Sequence, residues 1–555
     1  MIKKNIKKFL KLDNISSLIV FSILISFLIV LSFEWIPGHV FATGDYHFHL
    51  DRMYAIVDAW KHGIMSPRVD NFFAGGYGYA ASLFYPNIFL YPAAFVYLIT
   101  SSATVSYLFL LFFVNLLTFW ITYFAGKRLK LPEKNNIIFT VLYLLSAYRL
   151  QDLLSRHDIG ELLGIAFFPL ILAELIRYKD GDTKNWFIIS FAIAGVGYSH
   201  VLSLIMIVGF AFIYAIIHLR SFLKKDTLIQ LLKAAMFTLV LMIAYIVPVL
   251  EQMKSQKFQV STNPLIIISD RAIPLQNILF NSFTNQIFHA STVNLGFVVI
   301  VGLLVYLVFN IRNHKDLDLT ILATVMLIVS SSLFPWKLLK NTPVSVLQFP
   351  WRMFSLISLI VVYLIAKDEM NLFSRKRFLP IFMTVVSLLS IGLAQGTIIV
   401  SNYREHPYSE FEKLDSYKIG AGTEYLPEAV KYKHLIKKER VRKISYNKSE
   451  IKINDLKINN ETTEFYFNAN KKNTVVTIPK FYYKGYQAIV GEKGSASVPY
   501  LNKKNGMVNV KLSGKGYLTV KYHMTTLQVL SSIISLAGLV LFILSRIIIS
   551  KKDTE

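Results

Sequence analysis

The sequence predicts a polytopic α-helical membrane protein of about 12 transmembrane helices, with an extracytoplasmic C-terminal β-sandwich domain. Of its 555 residues, 54% are hydrophobic and 14% are aromatic. Single apolar runs approach or exceed the roughly 20 residues that span a bilayer. Residues 401–525 are instead polar and lysine-rich, with the period-two alternation that is typical of strands. The predicted organisation is a transmembrane domain at 1–400, a β-rich domain at 401–525, and a last helix with a cytoplasmic tail at 526–555.

The net charge and the absence of cysteine exclude some kinds of partner and some kinds of site. A formal net charge of +25 would suggest a nucleic-acid partner in a soluble protein. Short basic loops on one side of the membrane and a lysine-rich terminal domain explain it better here, so we expect no nucleic acid. The absence of cysteine excludes disulfides and thiolate metal sites.

The basic loops predict the topology. The first apolar run, at about 16–35, is too long for a signal-peptide core, and the lysines within residues 1–11 predict a cytoplasmic N-terminus. Residues 83–100 are interrupted by proline, and leaving them on the outer side gives every later basic loop the same sidedness. The later crossings are then predicted at about 102–125, 136–148, 161–178, 186–200, 201–219, 229–250, 294–311, 319–334, 351–366, 379–398 and 526–549. Both termini are therefore predicted to be cytoplasmic, with residues 401–525 outside.

The most conspicuous polar stretch is residues 44–52, directly after the first span, where two acids, two histidines and an arginine occur together. Ionisable residues next to lipid usually persist for a function or a fixed pairing. Read as part of an outer helix at 45–62, the stretch brings Asp45, His49 and Arg52 to one polar edge. The alternative is an interfacial helix whose charges simply face water.

Four more polar clusters fall on the predicted outer face, at residues 149–161, 199–200, 348–352 and 422–427. Five such sets on one side predict a shared cavity.

Each of these clusters also has a structural explanation. Arg149, Asp152 and Arg156 have the spacing of an ion-pair ladder on a helix. A lone His200 at a helix junction is often an interface residue, and Arg352 follows a tryptophan as in many membrane-interface anchors.

Transfer of a sugar from a lipid phosphate would need a carboxylate base near the acceptor hydroxyl and cations at the departing phosphate. Asp45 is the candidate base. The candidate substrate and phosphate contacts are His49, Arg52, Arg149, Arg156, His157, His200, Arg352 and Glu424. The candidate ligands of a divalent ion, Mg²⁺ or Mn²⁺, are Asp45, His47, Asp51 and Asp158.

The order of these parts is also informative. The motifs lie at residues 44–52, 85–92, 149–161 with Pro169, 199–200, 348–352, 424–427 and 481–486. In this order the chain resembles the GT-C superfamily of membrane glycosyltransferases. More narrowly, it resembles the bacterial membrane proteins known as "6-pyruvoyl-tetrahydropterin synthase-related", relatives of the YfhO-like family.

The resemblance implies a GT-C-like transferase that takes a sugar from a polyprenyl-phosphate donor and passes it to a cell-envelope glycopolymer or glycolipid outside the cell. Asp45 then holds the position of the superfamily's catalytic acid. One rival hypothesis is a transporter or flippase for a lipid-linked precursor, which would carry ionisable residues deep within its helices. Another is a non-catalytic envelope scaffold that binds glycans through residues 401–525. The gathering of charges at one face favours the transferase.

Overall fold

The computed structural model describes residues 15–32, 38–42, 44–262, 266–287, 292–401, 405–420, 423–438, 441–491 and 493–552. The lysines within residues 1–11, Gly422 and the end of the predicted tail lie outside the described residues. Two compact units are present. The first unit comprises Met1–Tyr46, Ser102–Thr238 and Ile266–Lys413, and the second comprises His47–Ser101, Leu239–Leu265 and Leu414–Glu555. The division into ranges 1–400, 401–525 and 526–555 stays a prediction.

The apolar runs form helices. The helices of 11 residues or more are Ile15–Leu31, Tyr46–Lys61, Ala103–Arg128, Glu133–Leu144, Phe168–Lys179, Phe187–Gly197, Val201–Ile217, Lys225–Ser255, Phe297–Asn313, Leu317–Val329, Phe354–Lys367, Leu379–Ser401 and Thr526–Lys552. The shorter helices are Ala81–Phe84, Tyr91–Thr100, Ala147–Gln151, Ile159–Ala166, Leu219–Phe222, Gln259–Thr262, Leu275–Phe283, Trp336–Leu339, Leu372–Arg375, Tyr408–Phe411 and Tyr432–Lys438. Short 3₁₀-helices occur at Ala74–Gly76, Ile268–Arg271, Pro343–Leu347 and Pro350–Met353, and a π-helical turn occurs at Asp152–Arg156.

Six helical segments among the described residues are long and apolar enough to cross a membrane. They are Ala103–Arg128, Glu133–Arg156, Ile159–Lys179, Lys225–Ser255, Pro350–Lys367 and Thr526–Ile547. Shorter apolar helices of 10–17 residues accompany them. The chain is therefore a multi-pass membrane protein, while the number of 12 crossings and the orientation of the termini stay predictions.

The proline-interrupted segment has the form expected of one that does not cross. It folds as Ala81–Phe84 and the 10-residue helix Tyr91–Thr100, which has a proline in its first turn. At 1.5 Å per residue such a helix is about 15 Å long, roughly half the hydrocarbon thickness of a bilayer. The helix Tyr91–Thr100 by itself is therefore shorter than a bilayer-spanning helix, and the placement of residues 83–100 on the outer side stays a prediction.

Ion pairs join the loops that were predicted to lie together on one side. Lys179 and His218 both reach the carboxylate of Asp318, at 3.8 and 2.8 Å. Lys367 pairs with Asp316 at 2.8 Å. Loops from four points of the first unit therefore share one end of the helices, and the cytoplasmic identity of that end stays a prediction.

The strands are β1 (His39–Phe41), β2 (Glu405–Pro407), β3 (Ser445–Tyr446), β4 (Ile451–Ile458), β5 (Thr462–Phe481), β6 (Tyr486–Gly491), β7 (Ser495–Ala496), β8 (Tyr500–Leu501) and β9 (Met507–Tyr522). β1 and β2 pair in the first unit. The other seven form one antiparallel sheet in the second unit, in which β5 and β9 lie side by side, β3 and β4 flank β5, and β6, β7 and β8 flank β9.

This arrangement corrects the predicted β-sandwich, because the described strands belong to one hydrogen-bonded sheet rather than two. The period-two pattern identified the strands and their buried faces, such as Phe465 and Phe467 on β5. It does not reveal that β5 and β9 are long strands that pair with each other. It also does not reveal that each of them pairs with different neighbouring strands on either side of the breaks in the β5–β9 register.

A lysine lies inside this sheet domain. Lys480, near the end of β5, is 1% exposed and donates hydrogen bonds to the carbonyl oxygens of Gly76, at 2.8 Å, and Asn460. Burial, with a smaller contribution from the nearby Arg442 guanidinium, lowers the pKa of Lys480 to about 7, and the Glu461 carboxylate opposes both effects. The backbone carbonyls therefore hold an amine that is close to its titration point at neutral pH.

We expect Lys480→Met to change how stability depends on pH. The pKa of Lys480 is about 7 in the folded protein and 10.5 for an unperturbed lysine, so the unfolded chain binds more protons between these values. The free energy of unfolding therefore rises with pH across this window, by up to about 1.4 kcal/mol per pH unit. Thermal unfolding of the purified protein in detergent measures the slope. The Lys480→Met slope should be shallower, whereas Lys503→Met, at an exposed lysine, should keep the wild-type slope; equal slopes for all three proteins would contradict the prediction.

Candidate functional site

The candidate site is built around the turn between two apolar segments of the first unit. A π-helical turn, Asp152–Arg156, is followed by His157 in the left-handed region at φ 52°. Asp158 then caps the helix Ile159–Ala166 by accepting a hydrogen bond from the backbone N–H of Glu161, at 3.0 Å. π-helical turns and left-handed non-glycine residues are both frequent at functional sites.

Arg156 binds three carboxylates around this turn. Its Nη1 donates to Asp152 and, at 3.1 Å, to Oε2 of Glu161. Its Nη2 donates to Oδ2 of Asp158 at 3.1 Å. The Arg156 side chain is 12% exposed, and those of Asp152 and Glu161 are fully buried. Such an arrangement is stable only because each charge has a partner.

Arg352 joins the same carboxylates from the start of another apolar segment. Its Nε donates to Oε2 of Glu161 at 2.9 Å, and its Nη2 lies 3.7 Å from Oδ2 of Asp158. Its Nη1 donates to the carbonyl oxygen of Leu347 at 3.0 Å. We call Asp152, Arg156, Asp158, Glu161 and Arg352 the Arg156 network.

Aromatic side chains enclose the network. The Arg156 guanidinium lies 4.7 Å from the ring centre of Trp351, and that of Arg352 lies 5.1 Å from the ring centre of Phe349. The Tyr148 hydroxyl donates a hydrogen bond to Oε1 of Glu161. The rings add cation–π attraction and exclude water, which strengthens the ion pairs.

Asp45 reaches this region through its backbone. Its N–H donates to the carbonyl oxygen of Arg156 at 2.9 Å. Gly44 before it has φ 59°, and a Cβ there would overlap the same oxygen. Only glycine therefore allows the two segments to approach this closely. The Asp45 residue is partly exposed.

The helix predicted at 45–62 is present as Tyr46–Lys61, and Asp45 is the residue directly before it. The polar edge shared by Asp45, His49 and Arg52 stays a prediction. The left-handed Gly44 and the bond to Arg156 hold Asp45 in a turn. Periodicity cannot show where a helix begins when a distant segment fixes that boundary.

An aromatic cluster surrounds the residues beside Asp45. The Tyr107 hydroxyl lies 2.8 Å from Nδ1 of His157. The Tyr46 ring stacks on Phe411 with ring centres 5.3 Å apart, and its hydroxyl lies 3.3 Å from Nε2 of His406. Sequence reasoning missed Tyr107, His406 and Phe411, because they come from separate segments with no local motif.

His200 also belongs to this region. It caps the helix Val201–Ile217, and its Nδ1 lies 2.8 Å from the hydroxyl of Ser203. Its imidazole interacts electrostatically with Asp158. The first unit thus gathers several of the predicted site residues: Asp45, Arg156, His157, Asp158, His200 and Arg352.

Arg149 is hydrogen-bonded to neutral groups outside the Arg156 network. Its guanidinium donates to Oδ1 of Asn115 at 2.7 Å, to Thr118 at 3.2 Å and to the carbonyl oxygen of Leu144 at 3.0 Å. These contacts tie neighbouring helices together, and the predicted substrate contact at Arg149 stays a prediction. The predicted ion-pair ladder is present between Asp152 and Arg156 and does not extend to Arg149 among the described ion pairs.

The remaining predicted residues lie in the second unit: His47, His49, Asp51, Arg52 and Glu424. Arg52 is buried and donates to the carbonyl oxygens of Tyr85 and Pro86, at 2.6 and 3.0 Å, and to Oδ1 of Asn87, at 2.6 Å. It lies 4.2 Å from the ring centre of Tyr85. Arg52 therefore fixes the proline-containing loop, and His49 lies 3.4 Å from its guanidinium.

A chain of hydrogen bonds links Arg52 to Asp70, an aspartate that the sequence motifs did not identify. Asn87 donates to the Ser82 hydroxyl, which in turn donates to Asp70. Asp70 also accepts from the Ser82 backbone N–H at 2.7 Å. Burial raises the pKa of Asp70 to about 6, against these hydrogen bonds and the Arg52 charge, which lower it. No short motif marked Asp70, since Ser82, which donates the hydrogen bonds to its carboxylate, follows it by 12 residues in sequence.

Asp51 is a poor metal ligand in this fold. The side chain is fully buried, and burial raises its pKa to about 8 against the opposing effects of the Asp415 backbone and Lys418. Lys418 Nζ also lies 3.1 Å from Nε2 of His47. A protonated carboxyl and a histidine facing an ammonium group do not favour a cation. Burial likewise raises the pKa of Glu424.

The three carboxylates of the Arg156 network form another candidate site for Mg²⁺ or Mn²⁺. Asp152, Asp158 and Glu161 each offer an oxygen within 4.8 Å of the others. Of the four predicted metal ligands, Asp158 belongs to such a group among the described residues. Oxygen ligands suit these ions. However, Arg156 and Arg352 already bind these oxygens, so the arrangement does not fit a divalent ion, and metal dependence stays a prediction.

Comparison with known proteins gives two similar chains. No protein-family model matches the sequence. A protein of Lactococcus lactis subsp. cremoris (strain MG1363), described as an "Uncharacterized protein", is 22% identical over 619 residues, which covers 96% of each chain. Among solved structures, the mycobacterial arabinofuranosyltransferase AftD is similar with a TM-score of 0.41 and 16% identity. That likeness covers 69% of this chain, which spans about a quarter (26%) of the AftD chain. A function for this chain therefore has to be inferred from the geometry of the site itself.

We expect Glu161→Gln to destabilise the protein strongly. The substitution removes the charge that both Arg156 and Arg352 contact, and breaking a buried ion pair costs about 3–5 kcal/mol. Glu133→Gln is the matched control, because Glu133 pairs with Lys127 at a more exposed position, where their side chains are 27% and 49% exposed. Exposed pairs contribute about 0–1 kcal/mol. Thermal unfolding in detergent compares the two variants, and similar losses would show that the network is not a stabilising element.

Proposed function

We propose that the chain is a membrane glycosyltransferase that moves a sugar from a polyprenyl-phosphate-linked donor to a cell-envelope glycopolymer or glycolipid on the extracytoplasmic face. The supporting observation is the hydrogen bond from the Asp45 N–H to the Arg156 carbonyl oxygen, at 2.9 Å. This bond holds the backbone of a partly exposed aspartate against the segment that carries Arg156. The family resemblance of the sequence is a further reason for the proposal.

In the proposed reaction, Asp45 acts as the base. Its carboxylate accepts the proton of an acceptor hydroxyl as that oxygen attacks the anomeric carbon of the donor sugar. The bond between this carbon and the phosphate oxygen breaks, and the polyprenyl phosphate departs with the electron pair. The anomeric configuration inverts in a single displacement.

The departing phosphate needs positive charge, and Arg156 is the proposed source. Its side chain is 12% exposed and it already binds carboxylates, whose oxygens a phosphate can replace in the same fork geometry. Arg352 binds two of the same carboxylates and acts as a positioning residue. His157 and His200 line the same region and complete the proposed set of contacts.

The transporter hypothesis remains the alternative, because four of the five ionisable residues of the Arg156 network are buried. Its members lie at the ends of apolar segments, namely the end of Glu133–Arg156 and the starts of Ile159–Lys179 and Pro350–Lys367. A position at the helix ends suits chemistry at a membrane surface better than a pathway across the membrane.

We expect Asp45→Asn to abolish transfer while the protein still folds and inserts. Loss of a general base lowers a rate by about 100-fold or more. The measurement is complementation of a deletion strain, with envelope glycans and accumulated polyprenyl-phosphate sugars compared against wild type. Asp226→Asn, at an exposed aspartate, is the control and should complement fully. Full glycosylation with Asp45→Asn would rule out the catalytic role.

Gly44→Ala tests the backbone contact rather than the carboxylate. The new methyl group would overlap the Arg156 carbonyl oxygen and displace the Asp45 turn, so we expect complementation to fail. Gly38→Ala is the matched control, because Gly38 also has a positive φ of 82° and has no atom within 4 Å of the added Cβ. The proposed geometry is wrong if the two alanine variants behave alike.

A further inference from the structure

A second group of metal-ligating side chains lies in the second unit. Asp58 and His62 are four residues apart at the end of the helix Tyr46–Lys61, and Glu461 lies in the turn between β4 and β5. Each offers one ligand atom within 4.8 Å of the other two. In contrast to the carboxylates of the Arg156 network, these three groups have no arginine among their described ion pairs.

The hydrogen bonding of His62 leaves a nitrogen available for a ligand. Its Nδ1 lies 2.8 Å from the backbone carbonyl oxygen of Asp58. A carbonyl oxygen only accepts, so Nδ1 carries the proton and Nε2 keeps its lone pair. Metal-binding histidines commonly have one ring N–H fixed in this way on a carbonyl oxygen. The side chain is 50% exposed, which gives an ion access from solvent.

Glu461 is oriented by a residue outside the group. Asn71 donates through Nδ2 to Oε2 of Glu461 at 2.6 Å, which leaves Oε1 for another partner. The backbone N–H of Glu461 is held by the Asn459 side chain at 2.8 Å. The partly buried Glu461 carboxylate is therefore held in place through one oxygen, and its other oxygen can bind a cation.

We propose that Asp58, His62 and Glu461 form a binding site for a divalent transition-metal ion, with Zn²⁺ as the preferred ion. One imidazole nitrogen and two carboxylate oxygens form a ligand set that suits Zn²⁺, and a fourth position is left for water. Mg²⁺ and Ca²⁺ are disfavoured, because they prefer oxygen ligands alone. The ion would tie the end of the outer helix to the turn between β4 and β5.

Metal titration of the purified full-length protein in detergent tests the site. After chelator treatment, Co²⁺ binding is followed by visible absorption, and Zn²⁺ affinity is obtained by competition. We expect a single site per chain in the wild type. His62→Ala and Glu461→Gln should each weaken binding by about 10- to 100-fold or more. The control, His434→Ala, removes an exposed histidine of the same unit and should leave the affinity unchanged.

Two outcomes would overturn the proposal: no binding by the wild type, or wild-type affinity in both His62→Ala and Glu461→Gln. The second outcome would assign the ion to other residues. Circular dichroism of each variant before titration separates loss of a ligand from loss of the fold. The assay measures binding and not sugar transfer, so its result is independent of the proposed glycosyltransferase activity.

Discussion

Oε2 of Glu161 accepts hydrogen bonds from two arginines that are 196 residues apart in sequence, Arg156 at 3.1 Å and Arg352 at 2.9 Å. Charges inside an apolar bundle are costly unless they are paired and hydrogen-bonded, so these contacts constrain every segment that carries them. They hold the end of one apolar segment against the beginnings of two others. The turn at residues 152–161 is consequently fixed, and its backbone offers the Arg156 carbonyl oxygen to Asp45.

The same pairing limits what the arginines can do. Three carboxylates face two guanidinium groups, and Oδ2 of Asp152 has no hydrogen-bond partner in the part of the chain that the structure describes. The network therefore carries no surplus of positive charge for an incoming anion. A donor phosphate would have to exchange with a carboxylate at the exposed edge of Arg156. This exchange would couple the occupancy of the site to the positions of the segments that the network joins.

Polar residue type alone did not distinguish binding residues from structural ones. Arg52, Arg149 and Arg156 looked equivalent in the sequence, as arginines within outer clusters. In the structure, Arg52 holds a loop through backbone carbonyls, Arg149 bonds neutral groups of neighbouring helices, and Arg156 binds three carboxylates. The difference depends on which groups lie within about 3 Å of each guanidinium, and these groups come from distant parts of the chain. The metal-ligating set of Asp58, His62 and Glu461 was missed for the same reason.

The sequence by itself determined the membrane class, the apolar helices, the break before the helix Val201–Ile217 and the strands of the terminal sheet, because these follow from local hydrophobic periodicity and from helix length. It also marked Asp45, Arg156, Asp158 and Arg352 as residues of interest. Only the tertiary structure decided that Asp45 lies in a turn, that β5 and β9 organise a single sheet, and that Glu161 joins two arginines. Those features depend on hydrogen bonds and ion pairs between segments far apart in the chain, and no local pattern encodes such partners.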